Sequence, residues 1–260
     1  LRSCAGQPVS ACTVVQGSGE HILLIGDSHA RMFVPTFRTL AEADDLTLSV
    51  SVMNACPWQR DLFVSFAGRR ATRLRDACDA QKADLYDRVI PGLAPDVIVV
   101  MNRGYELMAD GQRYVGPDGD VLESASAALD EWVEQATGTS LAAIAAEGRR
   151  VVLLEPIPVP LDDADPLACL AAAAVVEECR YVVPRVPSSV ERTYRRFDRP
   201  DDRVWSADLD RLVCPYFPIC DPLIDGVIVK LDADHLTRTF ARTLAPAVGV
   251  YLADNAILGG

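Results

Sequence analysis

The chain has 260 residues, of which 50% are hydrophobic and 24% are charged, and its formal net charge is −12. This composition is that of a soluble globular chain, and it excludes a disordered chain, a coiled coil and collagen. The longest apolar run, at 167–176, is about half the ~20 residues that a membrane-spanning helix requires. The acidic balance also argues against nucleic acid as a partner, since a phosphate backbone requires a clustered basic face.

Apolar runs alternate with helical patterns along the chain. The predicted strands lie at 21–26, 46–53, 97–101, 151–155 and 204–209. The predicted helices lie at 29–43, 73–90, 124–147, 188–197 and 236–245. We expect Pro91 and Pro246 to end two of these helices and Gly138 to bend or split a third. Strands that are apolar on both faces and alternate with helices predict a parallel sheet covered on both sides, in a single domain over 1–260.

Eight cysteines fall into four local pairs along the chain. The pairs are Cys4 with Cys12, Cys56 with Cys78, Cys169 with Cys179, and Cys214 with Cys220. None shows the spacing of a zinc site, and we predict no bound metal. An even number of cysteines in local pairs favours four sequential disulfides and an oxidising compartment outside the cytoplasm. The alternative is a cytosolic enzyme with buried free thiols.

No signal peptide precedes Leu1, so we expect either a processed chain or one excised from a longer polypeptide.

Three polar motifs are predicted to meet at one edge of the sheet. They are Gly-Asp-Ser-His at 26–29, Asn-Arg at 102–103 and Asp-Ala-Asp-His at 232–235. In an open parallel sheet, ligands bind at the carboxyl ends of the strands, where these motifs are expected. Ser28 lies on a predicted strand-to-helix turn, where free backbone amides favour a developing oxyanion. We therefore predict that Ser28 is a nucleophile.

A serine nucleophile needs a base, and the chain has three histidines. His21 lies at the far end of the first strand, roughly 20 Å from Ser28 at ~3.3 Å per residue, and is excluded. His29 is adjacent to Ser28, and neighbouring side chains at a helix start point in different directions, so we expect His29 to orient the turn or pack against the loop. His235 is then the predicted base, with Asp232 as the carboxylate that fixes its tautomer.

Each motif also has a purely structural interpretation. Gly-Asp-Ser is typical of an Asx turn with an N-cap, and Asp-x-x-His can cap a helix. Asp234 is an alternative partner for His235. The combination carries more weight than either motif, because a serine after the first strand and an Asp-x-x-His before the last helix reproduce the order of one enzyme class.

In these residues the chain resembles SGNH (GDSL-type) hydrolase domains, specifically the extracytoplasmic kind fused to the membrane acyltransferase-3 module of envelope glycan O-acyltransferases. The resemblance covers nearly the whole chain. It is carried by Leu-Leu-Ile-Gly-Asp-Ser-His-Ala at 23–30, Ala-Cys-Pro at 55–57, Pro-Asp-Val-Ile-Val-Val-Met-Asn-Arg at 95–103, Cys-Pro at 214–215 with the cysteine at 220, and Asp-Ala-Asp-His-Leu-Thr at 232–237. It implies an α/β fold, a three-layer α/β/α sandwich with a mostly parallel, flavodoxin-like central sheet.

The resemblance also implies roles for particular residues. Ser28 is expected to be the nucleophile, His235 the general base and Asp232 its orienting carboxylate. The side-chain amide of Asn102 and the backbone amide of Ser28 are expected to stabilise the oxyanion.

Two further positions are expected at the substrate. Arg103 is expected either to contact the substrate or to form a structural salt bridge. The family's block-two glycine has no clear match here. Residues 54–56 occupy its place, where a backbone amide is the expected substitute as oxyanion donor, and Asn54 is the expected substrate contact.

The function implied by the resemblance is an O-acyltransferase that moves an acyl group, expected to be acetyl, through Ser28 to a hydroxyl of a cell-envelope glycan. The expected partners are a membrane acyltransferase-3 module that delivers the acyl group and the acceptor glycan, with no cofactor. The chain is then extracytoplasmic and tethered through a segment outside this sequence. The alternatives are a secreted carbohydrate or lipid esterase with water as acceptor, and a non-catalytic glycan-binding or docking module.

Overall fold

The computed structural model describes residues 4–65, 70–105, 112–116, 118–122, 126–161 and 164–259. These residues form a central sheet of six strands. The strands are β1 (Thr13–Val15), β2 (His21–Gly26), β3 (Thr47–Val52), β4 (Val97–Met101), β5 (Arg150–Leu154) and β6 (Val204–Ala207). Their spatial order is β1-β3-β2-β4-β5-β6. The start of the predicted helix at 124 lies outside the described residues.

The register of the sheet brings the ends of its central strands to one edge. β1 is antiparallel to β3, and the other neighbouring strands are parallel. Gly26 at the end of β2 pairs with Val52 on one side and with Met101 on the other. Met101 in turn pairs with Leu154 at the end of β5. Loops that follow these strands therefore start side by side. The antiparallel edge strand β1 was not predicted.

Helices surround the sheet. They are α1 (Ser28–Met32), α2 (Val34–Ala43), α3 (Arg70–Asp84), α4 (Ile90–Leu93), α5 (Ala127–Ile144), α6 (Pro166–Ala172), α7 (Ser189–Arg196), α8 (Asp210–Val213), α9 (Arg238–Thr243) and α10 (Ala245–Asp254). Within the described ranges, three two-stranded ribbons lie outside the sheet. They pair Phe63–Val64 with Tyr114–Val115, Tyr181–Val182 with Ile219–Cys220, and Leu223–Ile224 with Val227–Ile228.

Alternate side chains of the strands enter two separate cores. Ile22 and Leu24 lie in a core with residues of α2, α9 and α10, whereas Leu23 and Ile25 lie in a core with residues of α5 and α7. The four side chains are fully buried. Helices cover both faces of β2, and this is why its sequence is continuously apolar. The fold is the predicted α/β sandwich, with a mostly parallel sheet between two layers of helices.

Three predicted helix boundaries were wrong. The helix predicted at 29–43 is two helices that meet at Phe33, because Pro35 in the first turn of α2 has no N–H to continue the hydrogen-bond ladder. Pro91 does not end its helix, which continues to Leu93 after a π-helical turn at Leu85–Val89. The third concerns Pro246: the helix before it ends at Thr243, close to the predicted 245, but Pro246 lies in the first turn of a further helix, α10, which was not predicted.

Gly138 neither bends nor splits α5, which runs unbroken from Ala127 to Ile144. A Cβ at this glycine would lie 3.1 Å from Cζ of Phe197. The glycine therefore serves close packing of α5 against the end of α7.

The four disulfides have the sequential pairing predicted from the cysteine spacing. They join Cys4 to Cys12, Cys56 to Cys78, Cys169 to Cys179, and Cys214 to Cys220. Each closes a local loop outside the parallel strands, where it limits the unfolded chain, typically by ~2–4 kcal/mol. Among the described helices, none is long and apolar enough to cross a membrane.

Candidate active site

Ser28 is the first residue of α1, directly after the turn that ends β2. Asp27 is the N-cap, and its carboxylate accepts a hydrogen bond from the backbone N–H of His29 at 2.8 Å. Gly26 has a φ of 134°, and a Cβ there would lie 1.9 Å from the carbonyl oxygen of Met101. A side chain at position 26 is therefore excluded, and the sharp turn presents the Ser28 hydroxyl at the carboxyl edge of the sheet.

The fully buried Asp27 also joins the ends of β2 and β4. Its Oδ2 accepts hydrogen bonds from the backbone N–H of Arg103 at 2.9 Å and from the hydroxyl of Tyr105 at 2.8 Å. Burial, followed by the charge of Asp27, raises the pKa of Tyr105 well above its usual value, so the hydroxyl remains a donor. Sequence analysis did not identify Tyr105, which belongs to no motif. The Asx-turn interpretation of Gly-Asp-Ser thus describes Asp27 correctly and leaves Ser28 free for another role.

The loop before α9 brings His235 to Ser28 across 207 residues of sequence. The Nε2 atom of His235 lies 2.8 Å from Oγ of Ser28. On the other side of the ring, Nδ1 lies 3.0 Å from Oδ2 and 3.1 Å from Oδ1 of Asp232. Oδ1 of Asp232 also accepts the backbone N–H of His235 at 2.7 Å, which fixes the loop. Three side chains named from the sequence thus form one hydrogen-bonded chain.

A second carboxylate shares the Nδ1 atom of His235. Oδ1 of Asp234 lies 3.0 Å from it, as close as Asp232 does. The Asp234 side chain is 10% exposed and that of Asp232 44%. Oδ2 of Asp234 is 2.9 Å from Nε of Arg103 and 3.5 Å from Nε2 of His29. The sequence interpretation treated the two carboxylates as alternatives, whereas the structure has both beside the imidazole.

Arg103 therefore forms the salt bridge that was one of its two expected roles. Its side chain is 9% exposed and lies behind Asp234, away from the surface. His29 is fully buried, and its ring packs edge to face on that of His235 with centroids 5.4 Å apart. Both residues thus support the loop that carries His235. This buried position favours the structural salt bridge over a contact between Arg103 and the substrate.

Asn102 follows β4 as predicted, but its side chain has no exposed surface. Its Oδ1 accepts the backbone N–H of Trp58 at 3.1 Å, and its Nδ2 donates to the side-chain oxygen of Gln59. An oxyanion role would depend on the second hydrogen of Nδ2, and it stays a prediction.

A cleft of about 650 Å³ opens over the serine and the histidine. Ser28, His235, Asn54 and Leu231 are among the residues that line it. Asn54 is exposed, as its expected contact with substrate requires. The next residue, Ala55, has a φ of 55°, a left-handed conformation that favours glycine, at the place where the family's block-two glycine was sought. A cavity of about 690 Å³ at the opposite edge, between Pro95, Arg150 and Trp205, contains none of the predicted site residues.

The family model described as "SGNH domain (fused to AT3 domains)" matches residues 3–249. The chain belongs to this SGNH family. No curated protein sequence matches the chain.

Among solved structures, this SGNH domain is similar to the periplasmic domain of a lipopolysaccharide acetyltransferase from Salmonella ser. Paratyphi A. The identity is 13% and the TM-score 0.64, over 94% of this chain and 86% of that chain. It is also similar to a protein assigned as an acylhydrolase from Bacteroides fragilis NCTC 9343, with 9% identity and a TM-score of 0.54 over 96% of this chain and 94% of that chain. At these identities the similarity establishes the fold.

The electrostatics of the SGNH site centre on His235. Burial lowers its pKa, but the hydrogen bonds to Asp232 and Asp234 outweigh burial and raise the pKa to about 9. Burial lowers the pKa of His29, so this ring is neutral near pH 7. Burial raises the pKa of Asp234, yet the hydrogen bond from His235, the nearby His29 ring and the charge of Arg103 bring it below its usual value. Asp234 is therefore a permanent negative charge beside His235.

His29, Asp234 and His235 offer three possible metal-ligand atoms within 4.8 Å of one another. Their arrangement disfavours a cation, because the positively charged Arg103 lies 2.9 Å from the Asp234 carboxylate. These residues are better described as a network of charged side chains that holds the imidazole of His235 in place.

We expect the rate of ester hydrolysis by this SGNH domain to rise with pH until about pH 9. Below the pKa of His235 the imidazole is protonated and cannot accept the serine proton, so kcat/KM falls about tenfold per pH unit. Replacing Asp234 with asparagine removes one negative neighbour, which lowers the pKa of His235 and moves the rise to lower pH. The measurement is kcat/KM for 4-nitrophenyl acetate from pH 6 to 10. An identical profile for D234N contradicts the shared role of the two carboxylates.

Proposed function

We propose that this SGNH domain is an extracytoplasmic serine O-acyltransferase that moves an acyl group, expected to be acetyl, to a hydroxyl of a cell-envelope glycan. The observation that carries the proposal is the hydrogen-bonded chain from Ser28 through His235 to Asp232 and Asp234, whose serine and histidine line an open cleft. A non-catalytic binding module has no need for a histidine between a serine and two carboxylates.

We propose a first half-reaction that the geometry supports. His235 accepts the proton of the Ser28 hydroxyl at Nε2 as Oγ attacks the acyl carbonyl carbon. The carbonyl oxygen becomes an oxyanion, for which we propose the backbone N–H of Ser28 as a donor, since first-turn amides have no acceptor within the helix. Collapse of the tetrahedral intermediate expels the donor's alkoxide, which takes the proton from His235. The acyl group is then an ester on Ser28.

The second half-reaction repeats these steps in reverse with a new alcohol. A sugar hydroxyl gives its proton to His235 and attacks the acyl-serine ester. The intermediate collapses, Ser28 leaves and recovers the proton, and the acylated sugar is released. Asp232 and Asp234 keep the Nδ1 proton of His235 in place and stabilise the imidazolium in both halves. No cofactor is required by these steps.

Three observations support transfer and an extracytoplasmic location. The family is described by its fusion to AT3 domains, for which we propose the role of acyl donor. Four disulfides are stable in an oxidising compartment, so we propose that the domain acts in the periplasm or at the cell surface. The solved periplasmic domain of a lipopolysaccharide acetyltransferase has the same fold. We further propose a single domain over 1–260, tethered to a membrane through a segment outside this sequence.

Hydrolysis remains the second candidate, because an acylhydrolase shares the fold and the acyl-enzyme is common to both reactions. We expect acceptor dependence to distinguish them. When the domain is given 4-nitrophenyl acetate with envelope glycan fragments, the acetyl group of the ester should appear on the sugar, detected by mass spectrometry, and release of free acetate should fall by the same amount. Constant acetate release with several acceptors identifies a plain esterase. The Ser28→Ala protein is the control for uncatalysed transfer.

A further inference from the structure

Arginines border the cleft that opens over Ser28. The four that line it are Arg31, Arg38, Arg238 and Arg242, and no aspartate or glutamate of the described residues lines it. In the whole chain, acidic residues outnumber lysine and arginine by 37 to 25. The lining of the cleft is therefore positively charged, whereas the chain as a whole is negatively charged. Asp232 and Asp234 face the Nδ1 side of His235, away from the serine.

Two neighbouring segments of the fold supply these arginines. Arg31 lies in α1 and Arg38 in α2, directly beside the serine turn. Arg238 and Arg242 lie four residues apart in α9, and therefore on one face of the helix. The hydroxyl of Thr36 in α2 donates to a backbone carbonyl of α9 at 2.5 Å, which joins the two segments. The four cations form one wall on a rigid support.

The charges of α9 are available to a ligand. Arg238 and Arg242 are exposed, and no carboxylate of the described residues lies within 4.0 Å of either guanidinium. Arg38 is 3.7 Å from Glu42, an exposed pair that water and salt weaken. Arg31 donates to the carbonyl of Val52 at 3.2 Å, which anchors it at the end of β3. Cations in a concave wall attract anions more strongly than the same charges on a flat surface.

We infer that the acceptor is an anionic glycan, whose carboxylate or phosphate groups bind Arg238 and Arg242 while a neighbouring hydroxyl lies at Ser28. The inference rests on the proposed function and adds the chemical class of the acceptor. Guanidinium groups bind both carboxylate and phosphate with paired hydrogen bonds, so the two anions share this chemistry. A glycan chain can enter the cleft and reach Ser28, which lines it, whereas a flat lipid surface cannot enter a concave site.

Equilibrium binding to the Ser28→Ala protein tests the inference without any turnover. The probes are trigalacturonate for the carboxylate, a glycerol phosphate trimer for the phosphate, and maltotriose as the neutral control, each measured by calorimetry at two salt concentrations. We expect one anionic probe to bind about tenfold more tightly than maltotriose, with affinity that falls as salt rises. The tighter of the two anions identifies the group.

Added to Ser28→Ala, the double substitution R238Q/R242Q should weaken binding of that anion about tenfold and leave maltotriose binding unchanged. The matched control is Arg199→Gln, which removes an exposed arginine before β6, at the opposite edge of the sheet, and should change neither affinity. Thermal unfolding of each variant establishes that it is folded.

Three results overturn the inference. They are equal or undetectable binding of the anionic and neutral probes, an unchanged anion affinity in R238Q/R242Q, and arginine-dependent binding to phosphatidylglycerol vesicles in place of either glycan. The last result would assign this wall to a membrane surface. None of the three affects the proposed serine chemistry, which fails separately if ester hydrolysis survives Ser28→Ala.

Discussion

Ser28→Ala should lower kcat for 4-nitrophenyl acetate hydrolysis by on the order of 10⁴- to 10⁶-fold, because it removes the oxygen that forms the acyl-enzyme. The substitution deletes one atom at the first position of α1, where alanine is tolerated, so the unfolding temperature should not change. Intact-mass analysis should detect an acetyl adduct on the unsubstituted protein and none on the variant. The matched control is Ser18→Ala, which removes an exposed hydroxyl at the opposite end of β2.

A second substitution makes this test stricter. If Ser28 and His235 act as one unit, Ser28→Ala combined with His235→Ala should be no slower than Ser28→Ala alone. A variant without Ser28 that still hydrolyses the ester at the original rate would exclude serine catalysis, and with it both the transferase and the esterase.

The double substitution D232N/D234N should lower the rate by on the order of 10⁴-fold, the cost of losing the carboxylate that orients a catalytic histidine. An asparagine amide can donate to Nδ1, which stabilises the tautomer that has its proton on Nε2 and so cannot accept one from Ser28. Each single substitution leaves the other carboxylate 3.0 Å from Nδ1, so its effect should be much smaller, about 10- to 100-fold.

These rates are to be compared on the alkaline plateau, where a changed pKa of His235 no longer affects them. Asp254→Asn, an exposed change at the end of α10, is the control for loss of a negative charge. If D232N alone is as slow as the double variant, Asp234 has a structural role only. Thermal unfolding is needed for D234N, since Arg103 loses the charge of its partner.

The parts of the fold that sequence analysis predicted are those determined by local patterns. The strands at 21–26 and 97–101 are buried on both faces, so each is a continuous apolar run that is evident from sequence alone. The serine turn was predicted because Gly26, Asp27 and Ser28 are consecutive: the glycine permits the tight turn, the aspartate caps the helix and the serine begins it. The motif around His235 was found for the same reason, since Asp232 and His235 share one loop.

The features that were missed depend on contacts between distant segments. β1 is three residues long and forms only by pairing with β3. From sequence alone, Pro246 fits both the end of one helix and the first turn of the next. The second helix, α10, is stabilised by packing against α2, which local sequence does not reveal. The arginine wall combines positions 31 and 38 with positions 238 and 242, which no sequence window contains. The support of Asp234 by Arg103 likewise joins two separate motifs.

The distance along the chain between the two halves of the site has a consequence for biogenesis. Ser28 leaves the ribosome early, whereas His235 and both carboxylates follow about 200 residues later. In the folded domain, the Thr36 hydrogen bond joins α2, which follows the serine turn, to α9, which follows the loop that carries His235. On the proposed mechanism, a nascent chain without residues 232–235 has no base beside Ser28, and we expect it to be inactive toward esters. On that mechanism, late synthesis of the segment that carries His235 delays the reactivity of Ser28, as a removable propeptide delays that of a protease.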